Sequence, residues 1–198
     1  MSVKIESVSG RELEDWLDRL AELRIEVFRE YPYLYEGDID YEREYLQTYV
    51  KSARSHIVLV LDDTKLVGAS TAIHIMDESE EFKSPFIKNH YDLSNIVYFG
   101  ESIIKKEYRG QGLGRRFFEL RETFSKQILS DLKWTTFCAV ERECNHPLQP
   151  EGYKNLHGLW EKMGYKRIDQ LKTQYRWKDI DKDIEDAKNM VFWTKPWS

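Results

Sequence analysis

Apolar and polar positions alternate along the chain in stretches that change period, and the changes mark the elements. Residues 3–8 alternate with period two and predict a short strand. Ser9-Gly-Arg-Glu12 has the spacing of a helix capping box. After it, Leu13, Trp16, Leu17, Leu20 and Val27 fall on one helical face, which predicts a helix ending near Arg29. Pro32 and Gly37 interrupt regular structure, and a second helix is expected from about Tyr41 to Ser52, with Tyr45, Leu46, Tyr49 and Val50 as its stripe. His56–Leu61 and Leu66–Ile75, separated by the turn Asp62–Lys65, predict a hairpin.

A polar stretch over 76–93 reads as a loop or a short helix, and 95–104 as a strand. Phe117, Leu120, Phe124 and Ile128 then recur at helical spacing. Trp134–Val140 is the next strand, and Tyr153–Met163 a helix with Gly164 suited to its C-terminal left-handed position. Tyr165–Trp177 and Met190–Trp193 close the chain as strands around an acidic excursion at 179–186. With no repeat, low-complexity tract or linker, residues 1–198 are expected to form one mixed α/β domain, with helices on the faces of one sheet.

Composition narrows the partners. Hydrophobic residues make up 41% and aromatics 14%, enough for a core, and the net charge of -5 with only short basic pieces argues against nucleic acid. No apolar run reaches the roughly 20 residues that span a bilayer, and no apolar leader precedes the first strand, so no membrane association and a cytoplasmic location are expected. Cys138 and Cys144 do not suggest a disulfide framework, and the histidines show no ligand spacing, so no metal is expected.

The informative segment is Glu107-Tyr-Arg-Gly-Gln-Gly-Leu-Gly-Arg-Arg-Phe-Phe118. A strand runs into a turn with glycines at 110, 112 and 114, and a helix follows. Glycine admits positive φ and close approach of a ligand. The first helical turn leaves N–H groups unpaired at the positive end of the dipole, which makes an anion site. Arg115 fails both the dinucleotide fingerprint and the phosphate-binding loop of nucleotide hydrolases.

The segment resembles the GCN5-related N-acetyltransferase (GNAT) superfamily, whose [RQ]-x-x-G-x-[GA] hallmark is matched by Arg109-Gly-Gln-Gly-Leu-Gly114. A second hallmark is matched by Trp160-Glu-Lys-Met-Gly-Tyr165. The resemblance implies a mixed, mostly antiparallel central sheet with flanking helices in the order β-α-α-β-β-β-α-β-α-β-β. It implies acetyl-CoA as acyl donor and an amine as acceptor. Backbone amides from Gln111 through Gly112, Leu113, Gly114 and Arg115 to Arg116 would hold the pyrophosphate, with Arg109 and Gly110 beside them. Ser102, Ile103 and Ile104 would pair with the pantetheine arm as with an added strand.

Glu101, in an otherwise apolar strand, is the candidate base, because a carboxylate there needs a partner or a function. Trp160 stands where relatives carry a tyrosine near the sulfur, so the acid is sought among neighbours, Tyr153 first. Cys138 in its apolar strand reads as a core residue. Tyr31, Tyr33 and Tyr35 among carboxylates suit a cationic amine, and His146 follows the strand that borders the acceptor cleft in relatives. The alternatives are a non-catalytic acyl-CoA binding module and a protein-interaction module of the same fold. Val191–Trp197 is a candidate homodimer surface or a cover for the chain's own sheet.

Overall fold

The computed structural model describes residues 3–143 and 145–198. Met1, Ser2 and Cys144, one of the two cysteines considered above, lie outside the described residues. In chain order the elements are β1 (Lys4–Val8), α1 (Leu17–Phe28), α2 (Ile39–Lys51), β2 (Ser55–Asp62), β3 (Lys65–His74), α3 (Glu80–Lys88), β4 (Ile96–Tyr98), β5 (Ser102–Ile104), α4 (Leu113–Ile128), β6 (Trp134–Val140), α5 (His157–Lys162), β7 (Lys166–Trp177) and β8 (Asp186–Pro196).

The strands form one sheet in the order β1-β2-β3-β4-β6-β8-β7, with β5 pairing to β3 off that path. Every pairing is antiparallel except β4 with β6. Side chains alternate across the pleat, so each strand feeds two cores. Ile57, Leu59 and Leu61 of β2 face Leu20, Leu46, Tyr49, Phe82 and Phe86 from the α1, α2 and α3 side. Val58 and Val60 face Leu113 and Phe117 of α4, and Phe99, Phe137 and Trp193 pack with Phe118, Tyr165 and Trp160 on the same side. The helices therefore cover both faces.

Four expectations shift and one resolves. The capping pair is formed, with Ser9 N–H donating to Glu12 Oε2 at 3.0 Å, but it opens a 3-10 stretch, Gly10–Trp16, ahead of α1. The polar segment holds α3, started at Ser79 and carrying Pro85. The strand expected over 95–104 is two strands separated by Phe99–Glu101, so Glu101 sits in the break. The late helix begins at His157, leaving Tyr153 in the preceding loop. The last strand is longer than expected and is internal: β8 runs between β6 and β7, with Val191, Phe192 and Trp193 buried. It therefore covers its own sheet, and the edges are β1 and β7. Among the described residues no helix is long and apolar enough to cross a membrane.

Candidate active site

The break between β4 and β5 is where the sheet opens. β4 and β6 pair from Ile96/Trp134 to Tyr98/Thr136, flanked by a bond from Lys133 N–H to Asn95 O at 2.9 Å at one end and from Phe99 N–H to Thr136 O at 2.7 Å at the other. Beyond it β5 stays with β3 and β6 goes with β8, so the two strands part. Tyr49 of α2 fills the space at Gly100. A Cβ at Gly100 would meet the Tyr49 hydroxyl at 2.1 Å and Thr71 Oγ1 at 2.5 Å, which leaves room for glycine alone. Arg121 of α4, 2% exposed, secures the break from the other face. It donates to the carbonyls of Glu101 at 3.1 Å and Thr71 at 3.4 Å and lies over the rings of Phe99 and Phe118. Burial lowers its pKa to about 10, which leaves the guanidinium charged at neutral pH.

β5 leaves one edge free. Lys105 N–H donates to Val67 O at 2.9 Å and Thr71 N–H to Glu101 O at 3.1 Å, so alternation engages Ile103 with Ala69 of β3 and turns the backbone groups of Ser102 and Ile104 away from β3. Ile104 O accepts from Arg109 Nε at 2.9 Å. Past β5 the chain turns through Gly110 (φ +77°) and Gly112 (φ +82°), and Gly112 caps α4 in the left-handed region. A Cβ at either glycine would project into open space. The turn thus leaves open space at both glycines where the unpaired N–H groups of the first α4 turn emerge, and it fits a pyrophosphate. Arg115 and Arg116 are exposed beside it, joined to Glu119 at 3.5 and 3.2 Å. Arg109 is engaged elsewhere: it forms a two-pronged ion pair with Glu30, at 2.7 and 2.9 Å, and so ties this turn to the end of α1.

On the α1 and α2 side of the same break lies a pocket that holds about 650 Å³ of space, its open mouth included. Its wall includes Phe28, Tyr33, Tyr35, Tyr45, Phe82, Tyr98, Tyr175 and Trp177, and it reaches Gly100, Glu101 and Cys138. Four charged residues line it, Arg24, Glu42 and Glu101 buried and Arg176 exposed. Arg24 Nη1 binds Glu101 Oε2 at 2.6 Å, and Arg24 Nε binds Glu42. Burial alone would lower the Arg24 pKa, but Glu101 and Glu42 outweigh it and hold the guanidinium charged. Glu101 is 5% exposed, and its Oε1 has no hydrogen-bond partner. Behind the wall, Tyr45 Oη lies 3.3 Å from Tyr49 Oη, which donates to Glu78 Oε1 at 3.0 Å. Burial, with the Glu101 charge adding to it, pushes the Glu78 carboxyl up to about 7. Burial likewise pushes the Cys138 thiol up to about 12, which makes it a poor nucleophile.

The loop between α1 and α2 is fastened to the β7–β8 hairpin. Tyr35 and Asp179 form a β-bridge, Glu36 N–H donates to Lys178 O at 2.8 Å, and Ile180 N–H donates to Leu34 O at 2.7 Å. Arg142, whose side chain is 9% exposed, grips both parts. It holds Asp179 at 2.7 and 2.9 Å and donates to the carbonyls of Pro32 at 2.6 Å and Tyr33 at 2.5 Å.

The structure thus brings Glu101, Tyr33 and Tyr35 together in the pocket and sets Ser102 and Ile104 along the neighbouring edge. It groups Tyr31, His146 and Tyr153 apart from the pocket wall. The Tyr31 ring meets Tyr153 edge-on at 4.7 Å and lies 6.0 Å from His146, and its hydroxyl donates to Gln149 Oε1 at 3.1 Å. Trp160 packs on Phe137 and Trp193, each at 5.0 Å between ring centres. The residues that sequence reasoning missed are Arg24, Glu42, Glu78, Arg121 and the hairpin aromatics Tyr175 and Trp177.

An open sheet parted at a glycine-turn helix, with a pocket behind the parting, defines a class of fold, and solved structures identify it. NAA60 of Arabidopsis thaliana, in complex with a bisubstrate analogue, matches over 100% of both chains at 12% identity and a TM-score of 0.61. A GNAT-family acetyltransferase from Streptococcus pneumoniae matches over 100% of both at 15% identity and a TM-score of 0.58. PaiA N-acetyltransferase of Thermoplasma acidophilum, in complex with coenzyme A, matches over 100% of both at 14% identity and a TM-score of 0.54. The chain has the GNAT fold. No protein-family model matches the sequence, and neither does any curated protein.

Proposed function

We propose that the chain is an N-acyltransferase that moves an acetyl group from acetyl-CoA to a primary amine by direct attack in a ternary complex. The observation that carries this reading is the position of Glu101. It is a buried carboxylate with one unpaired oxygen, at the inner end of an aromatic pocket and one residue before the free edge of β5. Buried polar groups are ordinarily paired, so an orphan oxygen facing a pocket marks a place for a donor. An ammonium entering the pocket meets Glu101 Oε1 and passes its proton there, while Arg24 holds the other oxygen. The freed nitrogen attacks the thioester carbonyl carbon, the C–N bond forms and the C–S bond breaks, and the excess proton on the nitrogen passes to the departing thiolate, so the products are the amide and free CoA thiol. The backbone of Ser102 and the N–H of Ile104, turned away from β3, would align the pantetheine, and the Gly110–Gly112 turn would hold the pyrophosphate. Tyr153 stands outside the pocket wall, against Tyr31.

Thiol release from acetyl-CoA over a panel of amines tests the reading. Glu101→Gln is expected to lower kcat/KM by roughly 10²–10⁴-fold and to leave CoA binding intact. Unchanged kinetics in that variant would remove Glu101 from the mechanism. Binding of CoA without turnover of any amine would favour a non-catalytic acyl-CoA module.

A further inference from the structure

We propose that the acceptor is a small primary monoamine carried on an apolar, ring-sized body and lacking a carboxylate next to the amine. The inference rests on the N-acyltransferase reading and narrows its acceptor. Three features of the pocket support it.

The first is the wall. Phe28, Tyr33, Tyr45, Phe82, Tyr98 and Trp177 present rings to one space, with Phe82 against Tyr98 at 4.9 Å and Tyr33 stacked on Trp177 at 5.9 Å. Such a surface gains from burying a flat apolar group and from cation–π contact with one ammonium.

The second is charge. Two carboxylates, Glu42 and Glu101, face one buried cation, Arg24, so one negative charge is in excess, and the unpaired oxygen of Glu101 is where it is exposed to a ligand. That matches one positive charge. A second ammonium would lie among rings with no carboxylate, since Glu78 sits behind Tyr49 rather than in the wall. An α-carboxylate would approach Glu101 with no free cation at that depth, because Arg24 is taken and Arg176, the pocket's other cation, is exposed on β7 with Nη2 donating to Glu185 O at 3.2 Å.

The third is the roof. Leu34–Glu36 and Lys178–Ile180 are hydrogen-bonded to each other beside the pocket residues Tyr35 and Trp177, and Tyr41 Oη meets Tyr175 Oη at 2.5 Å. An extended polypeptide cannot lie between two segments that already pair, so the acceptor enters end-on and is small.

Calorimetric titration tests this, using protein alone and protein saturated with desulfo-CoA, an unreactive donor analogue. The probes are 2-phenylethylamine, L-phenylalanine, spermidine and a short unstructured peptide with a free N-terminus. The expected result is that 2-phenylethylamine binds about tenfold or more tighter than each of the others. Glu101→Gln and, independently, Phe28→Ala should each weaken it by about tenfold or more. Spermidine, phenylalanine or the peptide binding as tightly as 2-phenylethylamine would overturn the proposal. So would failure of 2-phenylethylamine to bind, or binding indifferent to both substitutions. The donor separates the two readings: if desulfo-CoA binds and the amine preference is wrong, only the acceptor class falls. If desulfo-CoA does not bind, the acyltransferase reading falls, and the titration of protein alone still decides what the pocket holds.

Discussion

Glu78 loses its solvent shell on folding and gains only a tyrosine hydroxyl and the Ser79 N–H in return. Burial outweighs these bonds and the more distant Arg24 charge, so its pKa rises from the ordinary 4.5 to about 7. The folded state therefore holds this proton more tightly than the unfolded state does. Its contribution to stability is complete below the unfolded pKa and is lost as pH rises from there through 7. The loss amounts to about 3 kcal/mol on the alkaline side, taking 1.36 kcal/mol per pKa unit. Glu78→Gln should therefore be more stable than the native chain at pH 8 and show a flatter dependence of urea midpoint on pH between 4.5 and 8. A variant destabilised equally at both ends would contradict this. The other buried charges had a legible signal that stripe reading passed over. Arg24 lies four residues after Leu20 and three before Val27, Glu42 lies four before Leu46, and Arg121 falls between Phe117 and Phe124. Each occupies an apolar-stripe position of its helix, where a charge implies a buried partner. Arg24 and Glu42 are each other's partner. Glu78 gave no such signal, because it lies in an irregular segment and is buried by elements distant in sequence.

Between elements, two devices set the geometry of the site. The first is the clamp of Arg142 and Asp179, with Lys188 3.1 Å from Asp179 and the Trp177 indole donating to Tyr33 O at 3.0 Å. It fixes the loop that supplies Tyr33 and Tyr35. Breaking a buried ion pair from one side costs about 3–5 kcal/mol, because the remaining charge stays buried. Asp179→Ala should therefore lower the melting temperature and expose the 31–36 loop to limited proteolysis before the rest of the chain. Global unfolding without earlier cleavage there would mean that the clamp does not hold the loop independently. The second device is the strand break at Gly100. The sequence from Val97 to Ile104 is nearly all apolar and reads as one strand, because what interrupts it is Tyr49, brought from α2 by tertiary packing. Gly100→Ala must displace the Tyr49 hydroxyl, and overpacking of this kind costs about 1–3 kcal/mol. The expected readout is a lower urea midpoint, together with loss of the bond from Tyr49 to Glu78.

At the scale of the whole molecule, the sheet separates two features of the candidate site. The α4 side carries the glycine turn, the α1 and α2 side carries the aromatic pocket, and the parting between β5 and β6 connects them. Arg109, paired with Glu30, and Lys105, paired with Glu26 at 2.5 Å, join the glycine turn to α1 and the start of the α1–α2 loop. Much of this architecture was legible, because Arg109–Gly114 and Trp160–Tyr165 each report local geometry, a turn that needs positive φ and a helix that ends at Gly164. The closure of the pocket was not legible, since it depends on a β-bridge between residues 35 and 179 that no local pattern encodes. Nor was the separation of Tyr31, His146 and Tyr153 from the pocket wall, which follows from where the 145–153 loop comes to rest.

The most direct measurement is a calorimetric titration of the purified chain with acetyl-CoA, beside a Gly112→Glu variant. Gly112 holds φ at +82° with open space where a side chain would project, so the substitution sets a strained backbone and a carboxylate in the anion turn. Saturable one-to-one binding by the native chain, abolished in a variant that still melts cooperatively, is the predicted result. A folded native chain that does not bind acetyl-CoA, or a variant that binds it equally well, would contradict the account.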